Sequence, residues 1–202
     1  MILNDLNLRI IDEFLGDYSK EITGSGVARK KNLNQKSAAN ALSSLESEGF
    51  LKSRTEGKNR LFSLNLENQS IADFLSAAEH LKKISFLKKK TLLRGTIEKV
   101  LPFCKGAVII FGSYAKGKEK EGSDLDLFVI GEYDAKKIGE ISEAQGIEIN
   151  VKCYSRNIFE KGLDNHDFLL EEIIKDHISL RGCEDFILIL LRRRYGQNRV
   201  VP

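Results

Sequence analysis

Asp124 and Asp126 stand either side of Leu125 at the head of the apolar run Leu125 to Ile130. At that spacing on a strand both side chains point to one face, where paired carboxylates can hold a divalent cation. Upstream, Gly112-Ser113 closes another apolar run, Ala107 to Phe111. A glycine turn at a strand end lets backbone N–H groups approach a phosphate closely, and Lys116 is within reach of the same phosphate. A phosphate cradle plus paired carboxylates is the equipment of metal-assisted nucleotide chemistry.

The surrounding pattern supplies elements to carry these groups. Ala107 to Phe111 reads as a strand, Ser113 as the cap of a short helix near Tyr114 to Gly117, and Leu125 to Ile130 as a second strand. Lys118 to Glu121 reads as a mobile charged loop between them. A helix follows over Asp134 to Gln145, with Ile138 and Ile141 inward, and then a third strand over Ile147 to Tyr154. In that strand Glu148, Asn150 and Lys152 share the face opposite Ile147, Ile149 and Val151. A short apolar segment at Ile178 to Gly182 and a last helix over Glu184 to Arg194 complete this half.

The first half has a different character. Between Thr23 and Leu64, Lys and Arg outnumber Asp and Glu eight to three, and from Asn68 to Lys105 the ratio is again eight to three; from Gly106 to Pro202 it is 14 to 17. A basic half and a mildly acidic half suggest two jobs in one chain. Leu6 to Leu15 reads as an amphipathic helix, Ile22 to Gly26 as a turn, Val27 to Lys31 as a short helix, and Gln35 onward as a longer helix stopping at Gly49. Strand-like stretches Phe50 to Arg54 and Arg60 to Leu64 flank a turn at Thr55 to Asn59. Three helices and a hairpin in this order make a winged helix-turn-helix.

Ala38 to Leu64 resembles the prokaryotic winged-helix regulators, with Leu45 to Leu51 at the junction of recognition helix and wing. The resemblance implies binding to double-stranded DNA, with Gln35, Lys36, Ser37 and Asn40 facing outward on the recognition helix and Lys52, Arg54, Lys58 and Arg60 on the wing. Next, Ile71, Phe74 or Leu75, Ala78, Leu81, Ile84 and Leu87 predict a helix from about Ser70 to Lys90, and a second follows from Thr91 to Phe103. Two readings of this stripe stay open, ordinary core between domains or the seam of a homodimer.

Gly112-Ser113, Ala115, Gly117, Ser123-Asp124 and Asp126 together look like the signature of the DNA polymerase beta nucleotidyltransferase superfamily, in the wording of its minimal nucleotidyltransferases. The resemblance covers Gly106 to Tyr154 well and the rest loosely. It implies a mixed sheet flanked by helices, a pair of Mg²⁺ ions on Asp124 and Asp126, and a nucleoside triphosphate held by Gly112, Ser113 and Lys116. It also implies a third catalytic and metal-binding carboxylate from a later strand, for which Glu148 is the candidate and Asn150 the alternative occupant. The reaction implied is transfer of a nucleoside monophosphate to a hydroxyl acceptor. The alternatives are a DNA-binding regulator that only senses the nucleotide, or an antitoxin-type enzyme modifying a separate toxin chain with a HEPN domain.

The fold class expected is therefore α+β: a winged helix-turn-helix over residues 1–67, a helical connector over 68–103, and a nucleotidyltransferase domain over 104–202. No apolar run approaches the roughly 18 residues that span a bilayer, so a cytoplasmic protein with no membrane partner is expected. Cys104, Cys153 and Cys183 are widely spaced, and His80, His166 and His177 form no local ligand cluster. That pattern argues against structural zinc and a disulfide framework, and makes the cysteines buried apolar fillers. His166 and His177 read as surface or core-edge side chains.

Overall fold

The structure, a computed structural model, describes residues 4–196; the expected outer limits at residues 1 and 202 lie outside the described residues. The Asn4 side chain accepts from the Asn7 N–H and starts α1 (Asp5–Ile11), which a 3-10 turn prolongs to Phe14. α2 (Gly24–Lys30) begins earlier than expected, because Thr23 Oγ1 accepts from the Gly26 N–H and supplies a cap. α3 (Gln35–Ser47) starts where the Asn34 side chain accepts from the Lys36 N–H, and it buries Ala38, Ala41, Leu42 and Leu45.

β2 (Leu51–Glu56) and β3 (Asn59–Leu64) form the expected hairpin, with its turn shortened to Gly57-Lys58. The stretch expected as a turn at Ile22-Thr23 is instead a short strand, β1 (Ile22–Thr23), paired antiparallel with β3. This gives a three-stranded sheet in the order β1-β3-β2 behind three helices, the winged-helix arrangement.

α4 (Ile71–Lys89) follows, then α5 (Thr91–Val100). Ile71, Phe74, Leu75 and Ala78 of the expected stripe are buried inside the chain, whereas Ile84 is exposed at 47%. The first half of the stripe is thus ordinary core.

The second half of the chain runs β4 (Cys104–Ile110), α6 (Gly112–Ala115), β5 (Leu125–Tyr133), α7 (Ala135–Gln145), β6 (Ile149–Tyr154), α8 (Arg156–Asp164), α9 (Phe168–Lys175), β7 (Ile178–Arg181) and α10 (Cys183–Tyr195). Its four strands lie in the order β6-β5-β4-β7, with β5 and β6 parallel and the other pairs antiparallel, so the sheet is mixed. Alternation along the strands sorts two cores. Val108, Ile110, Leu125, Leu127 and Val129 pack with Leu93 and Ile97 of α5 and Ile138 of α7. Ala107, Ile109, Phe128 and Ile130 pack with Phe159, Ile173 and Phe186, and this cluster continues through Phe74 and Leu75 to Ile10 and Phe14 of the winged helix. Burying each such aromatic contributes about 1.5–3 kcal/mol.

His177 is not at the surface: it is wholly buried, with Nδ1 2.9 Å from the Ile174 carbonyl and Nε2 2.7 Å from Glu79 Oε1 on α4. A carbonyl only accepts, so Nδ1 carries hydrogen. Packing brings the two residues together across 98 positions of sequence, a distance over which local patterning is silent.

Candidate functional site

β4 and β5 pair from Cys104↔Tyr133 to Ile110↔Leu127, and the Phe111 N–H then donates to the Asp126 carbonyl at 3.1 Å. The chain passes directly into the next helix, and Gly112 lies on the Asp126 side chain. A Cβ placed at Gly112 would stand 2.2 Å from Asp126 Oδ2, 3.0 Å from its Cγ and 3.3 Å from its Cβ, and Gly112 has φ +70°. Only glycine combines that backbone with that approach. Gly112 and Ser113 open α6, which has no side-chain cap; the capping role expected of Ser113 is not taken up, because the helix starts one residue before it.

Asp124 and Asp126 are both half-buried. Burial, and secondarily the charge of Asp124, raise the pKa of Asp126 above the usual aspartate value. Two carboxylates that repel in this way are a favourable place for a cation, and an all-oxygen donor set suits a hard ion such as Mg²⁺. The Gly112 backbone packs directly on the Asp126 carboxylate, so the Gly-Ser turn and the aspartate pair are neighbours at the strand ends.

The third position is divided between two residues. Parallel pairing of β5 with β6 sets Asp126 opposite Asn150, and the Leu125 N–H donates to the Glu148 carbonyl at 2.8 Å. The same register puts Glu148 abreast of Asp124. Glu148 lies one residue before β6 begins, and its side chain is exposed. Asn150 is the residue that touches the pair: its Nδ2 is 3.4 Å from Asp124 Oδ2.

The loop expected to be mobile is fastened at several points. Tyr114 donates its hydroxyl hydrogen to the Ser123 carbonyl at 3.3 Å, and Ser123 Oγ accepts from the Lys120 N–H at 2.8 Å. Glu119 pairs with Lys90 at the end of α4, and that bond lowers the Glu119 pKa. Tyr114 and Ser123 therefore fasten the end of the loop from which Asp124 follows, a role that sequence reading missed; the serine directly before the first aspartate was the available signal. Lys116 donates to Glu172 Oε1 on α9 at 3.2 Å. It lines a cleft of about 740 Å³ with Asp17, Lys118, Phe168, Lys175 and Arg194, and the aspartate pair is not part of that lining.

On the winged helix, Gln35, Lys36, Ser37 and Asn40 are exposed along α3, and Lys52 and Lys58 on the hairpin. Arg54 is held by Glu21, at 2.7 Å and 2.6 Å, and by Glu56 at 2.8 Å. Arg60 is held by Glu46, donates to Ser53 Oγ at 2.9 Å and stacks over Phe62 at 5.0 Å. The two wing arginines are therefore already engaged within the chain.

A nucleotidyltransferase domain family model matches residues 78–195. An inferred protein adenylyltransferase of Methanocaldococcus jannaschii is 30% identical over 112 residues, covering 52% of this chain and 93% of that protein. Among solved structures, a toxin–antitoxin with AMP-PNP shares 18% identity at a TM-score of 0.32 and covers 55% of this chain and 86% of its own. A homodimeric winged helix-turn-helix DNA-binding domain from Mycobacterium bovis shares 20% identity at a TM-score of 0.32, covering 39% of this chain and 68% of its own. No helix among the described residues is long and apolar enough to cross a membrane.

Proposed function

The chain belongs to the nucleotidyltransferase domain family, and from that premise we propose that it transfers the adenylyl group of ATP to a hydroxyl of a protein acceptor, Mg²⁺-dependently, at Asp124 and Asp126. The single observation that carries this reading is the contact of Gly112 with the Asp126 carboxylate. Glycine at 112 lets the turn that would take the phosphate pack directly against a carboxylate that would take the metal. ATP and a protein acceptor are taken from the adenylyltransferase relative.

Asp124 and Asp126 would hold Mg²⁺, which when bound supplies positive charge to the α-phosphate and to the leaving pyrophosphate. Gly112 and Ser113 present their backbone to the triphosphate. Tyr114 and Ser123 fasten the loop end from which the first aspartate follows. Glu148, whose backbone lies abreast of Asp124 in the β5–β6 register, would accept the acceptor's hydroxyl proton. In-line attack of the acceptor oxygen forms the new P–O bond as the bond to pyrophosphate breaks.

A second reading is favoured by Asn150, whose neutral amide stands against Asp124: the site binds nucleotide without turning it over. One experiment separates the two. The purified chain is incubated with α-labelled ATP, Mg²⁺ and cell extract, beside an Asp124→Ala/Asp126→Ala double variant. Label on protein that is absent with the variant supports transfer. Retained ATP binding with no label in any fraction overturns it in favour of sensing.

We assign the winged helix of residues 1–67 to DNA binding, joined through residues 68–103 to the transfer domain of 104–202. The polar outer face of α3 and the exposed Lys52 and Lys58 support this. DNA retention should fall steeply with salt, by the release of counterions from phosphates. Retention unchanged in a Lys36→Ala/Lys52→Ala/Lys58→Ala variant overturns the assignment. A HEPN-type acceptor and a homodimer remain further proposals, for which co-purification and light scattering are the tests.

A further inference from the structure

His80 on α4 meets Cys183 and Glu184 at the start of α10. His80 Nε2 is 3.0 Å from Glu184 Oε1 and 3.5 Å from Cys183 Sγ, and one donor atom from each of the three lies within 4.8 Å of the others. We propose that these three side chains form a binding site for a thiophilic divalent ion of the zinc type, separate from the nucleotide site, which clasps the connector helix to the last helix.

The His80–Cys183 separation is that of a tetrahedral shell, and the His80–Glu184 separation is close to it. Zinc bonds of about 2.0–2.1 Å to nitrogen and about 2.3 Å to sulfur put N and S about 3.5 Å apart at the tetrahedral angle. The corresponding N···O edge is about 3.3 Å, so the His80–Glu184 contact needs to open by only about 0.3 Å. One nitrogen, one sulfur and one carboxylate oxygen select zinc over Mg²⁺ or Ca²⁺. Cys183 is 1% exposed while the His80 and Glu184 side chains are 46% and 60% exposed, so the sulfur forms a buried floor and the fourth position opens to water.

Glu79, the residue before His80, is wholly buried; its Oε1 is taken by His177 Nε2 at 2.7 Å, and its Oε2 has no hydrogen-bond partner among the described residues. Lys83, one turn further along α4, donates to the Leu180 carbonyl at 3.2 Å and not to the cluster. Binding forms a metal–sulfur bond, breaks the S–H bond and releases that proton to solvent.

The test is a cobalt titration of the full chain after chelation. One equivalent of Co²⁺ should give the near-ultraviolet thiolate charge-transfer band and the visible bands of a four-coordinate site, and Zn²⁺ should bleach both. Cys183→Ser should abolish the charge-transfer band, whereas a Cys104→Ser/Cys153→Ser variant should keep it. His80→Gln, at a half-exposed position where folding is not at risk, should weaken Co²⁺ binding at least about 10-fold. Absence of the band in the wild type, its survival in Cys183→Ser, or unchanged affinity in His80→Gln overturns the proposal.

Discussion

Gly112→Ala tests the site at its tightest point. The substitution puts a Cβ 2.2 Å from Asp126 Oδ2, and separations under 3.0 Å are essentially never seen, so the carboxylate must retreat by at least about 0.8 Å. It cannot do so by a swing of its tip alone, because the Asp126 Cγ and Cβ are also close, at 3.0 Å and 3.3 Å. A displacement near 1 Å at a reacting centre costs about 100-fold in rate. An L-residue at φ +70° adds about 1–2 kcal/mol of backbone strain. Gly117→Ala is the control: φ is +63°, with nothing within 4 Å of the added Cβ, so strain acts there without a clash. Gly117→Ala should lose about 1–2 kcal/mol, or about 2–8 °C in Tm for a chain of this size, and Gly112→Ala at least as much. Only Gly112→Ala should lose adenylyl transfer, about 100-fold, measured well below Tm with α-labelled ATP, together with Mg²⁺ affinity by calorimetry. Equal activity in the two variants would refute the reasoning that Gly112 exists to seat the turn on Asp126.

Asp126→Asn should leave the metal-free protein at least as stable as wild type near neutral pH. The pKa of Asp126 is raised, so the stability it contributes is present below the ordinary carboxylate range and lost as pH rises through its raised value. Mg²⁺ should raise the Tm of wild type and not of this variant; equal shifts would count against the metal assignment. Glu13 has the opposite sign: burial opposes its ionisation, but Lys30, Lys20 and Lys31 outweigh that and hold its pKa at about 2. Glu13→Gln should cost about 2–3 kcal/mol by urea unfolding at neutral pH, and the difference should shrink as pH falls from 4.5 to about 2; a pH-independent difference would show that the lysines do not act through charge. Glu79→Gln leaves His177 buried against an amide and should cost about 3 kcal/mol. Chemical unfolding reads this directly, and a loss under about 0.5 kcal/mol, the size of a surface change, would remove the pair from the list of interactions holding α4 to the sheet.

Much of this protein is written locally in its chain. The Gly-Ser turn, the paired aspartates and the strands bearing them follow from spacing alone, as do α3, α7 and the hairpin of β2 and β3, because helix and strand periods and capping side chains act over a few residues. The winged helix followed for the same reason, apart from β1, whose two residues become a strand only by pairing with β3. What the sequence could not decide is which side chain stands third at the aspartates. That depends on the register of β6 against β5, which sets Asn150 opposite Asp126 and leaves Glu148 exposed at the rim. Nor could it join His80 to Cys183, 103 residues away, or Glu79 to His177. Those meetings are made by the packing of α4 on α10 and β7 beside the core that holds Phe74, Ile173 and Phe186, a long-range outcome that no short window of sequence contains.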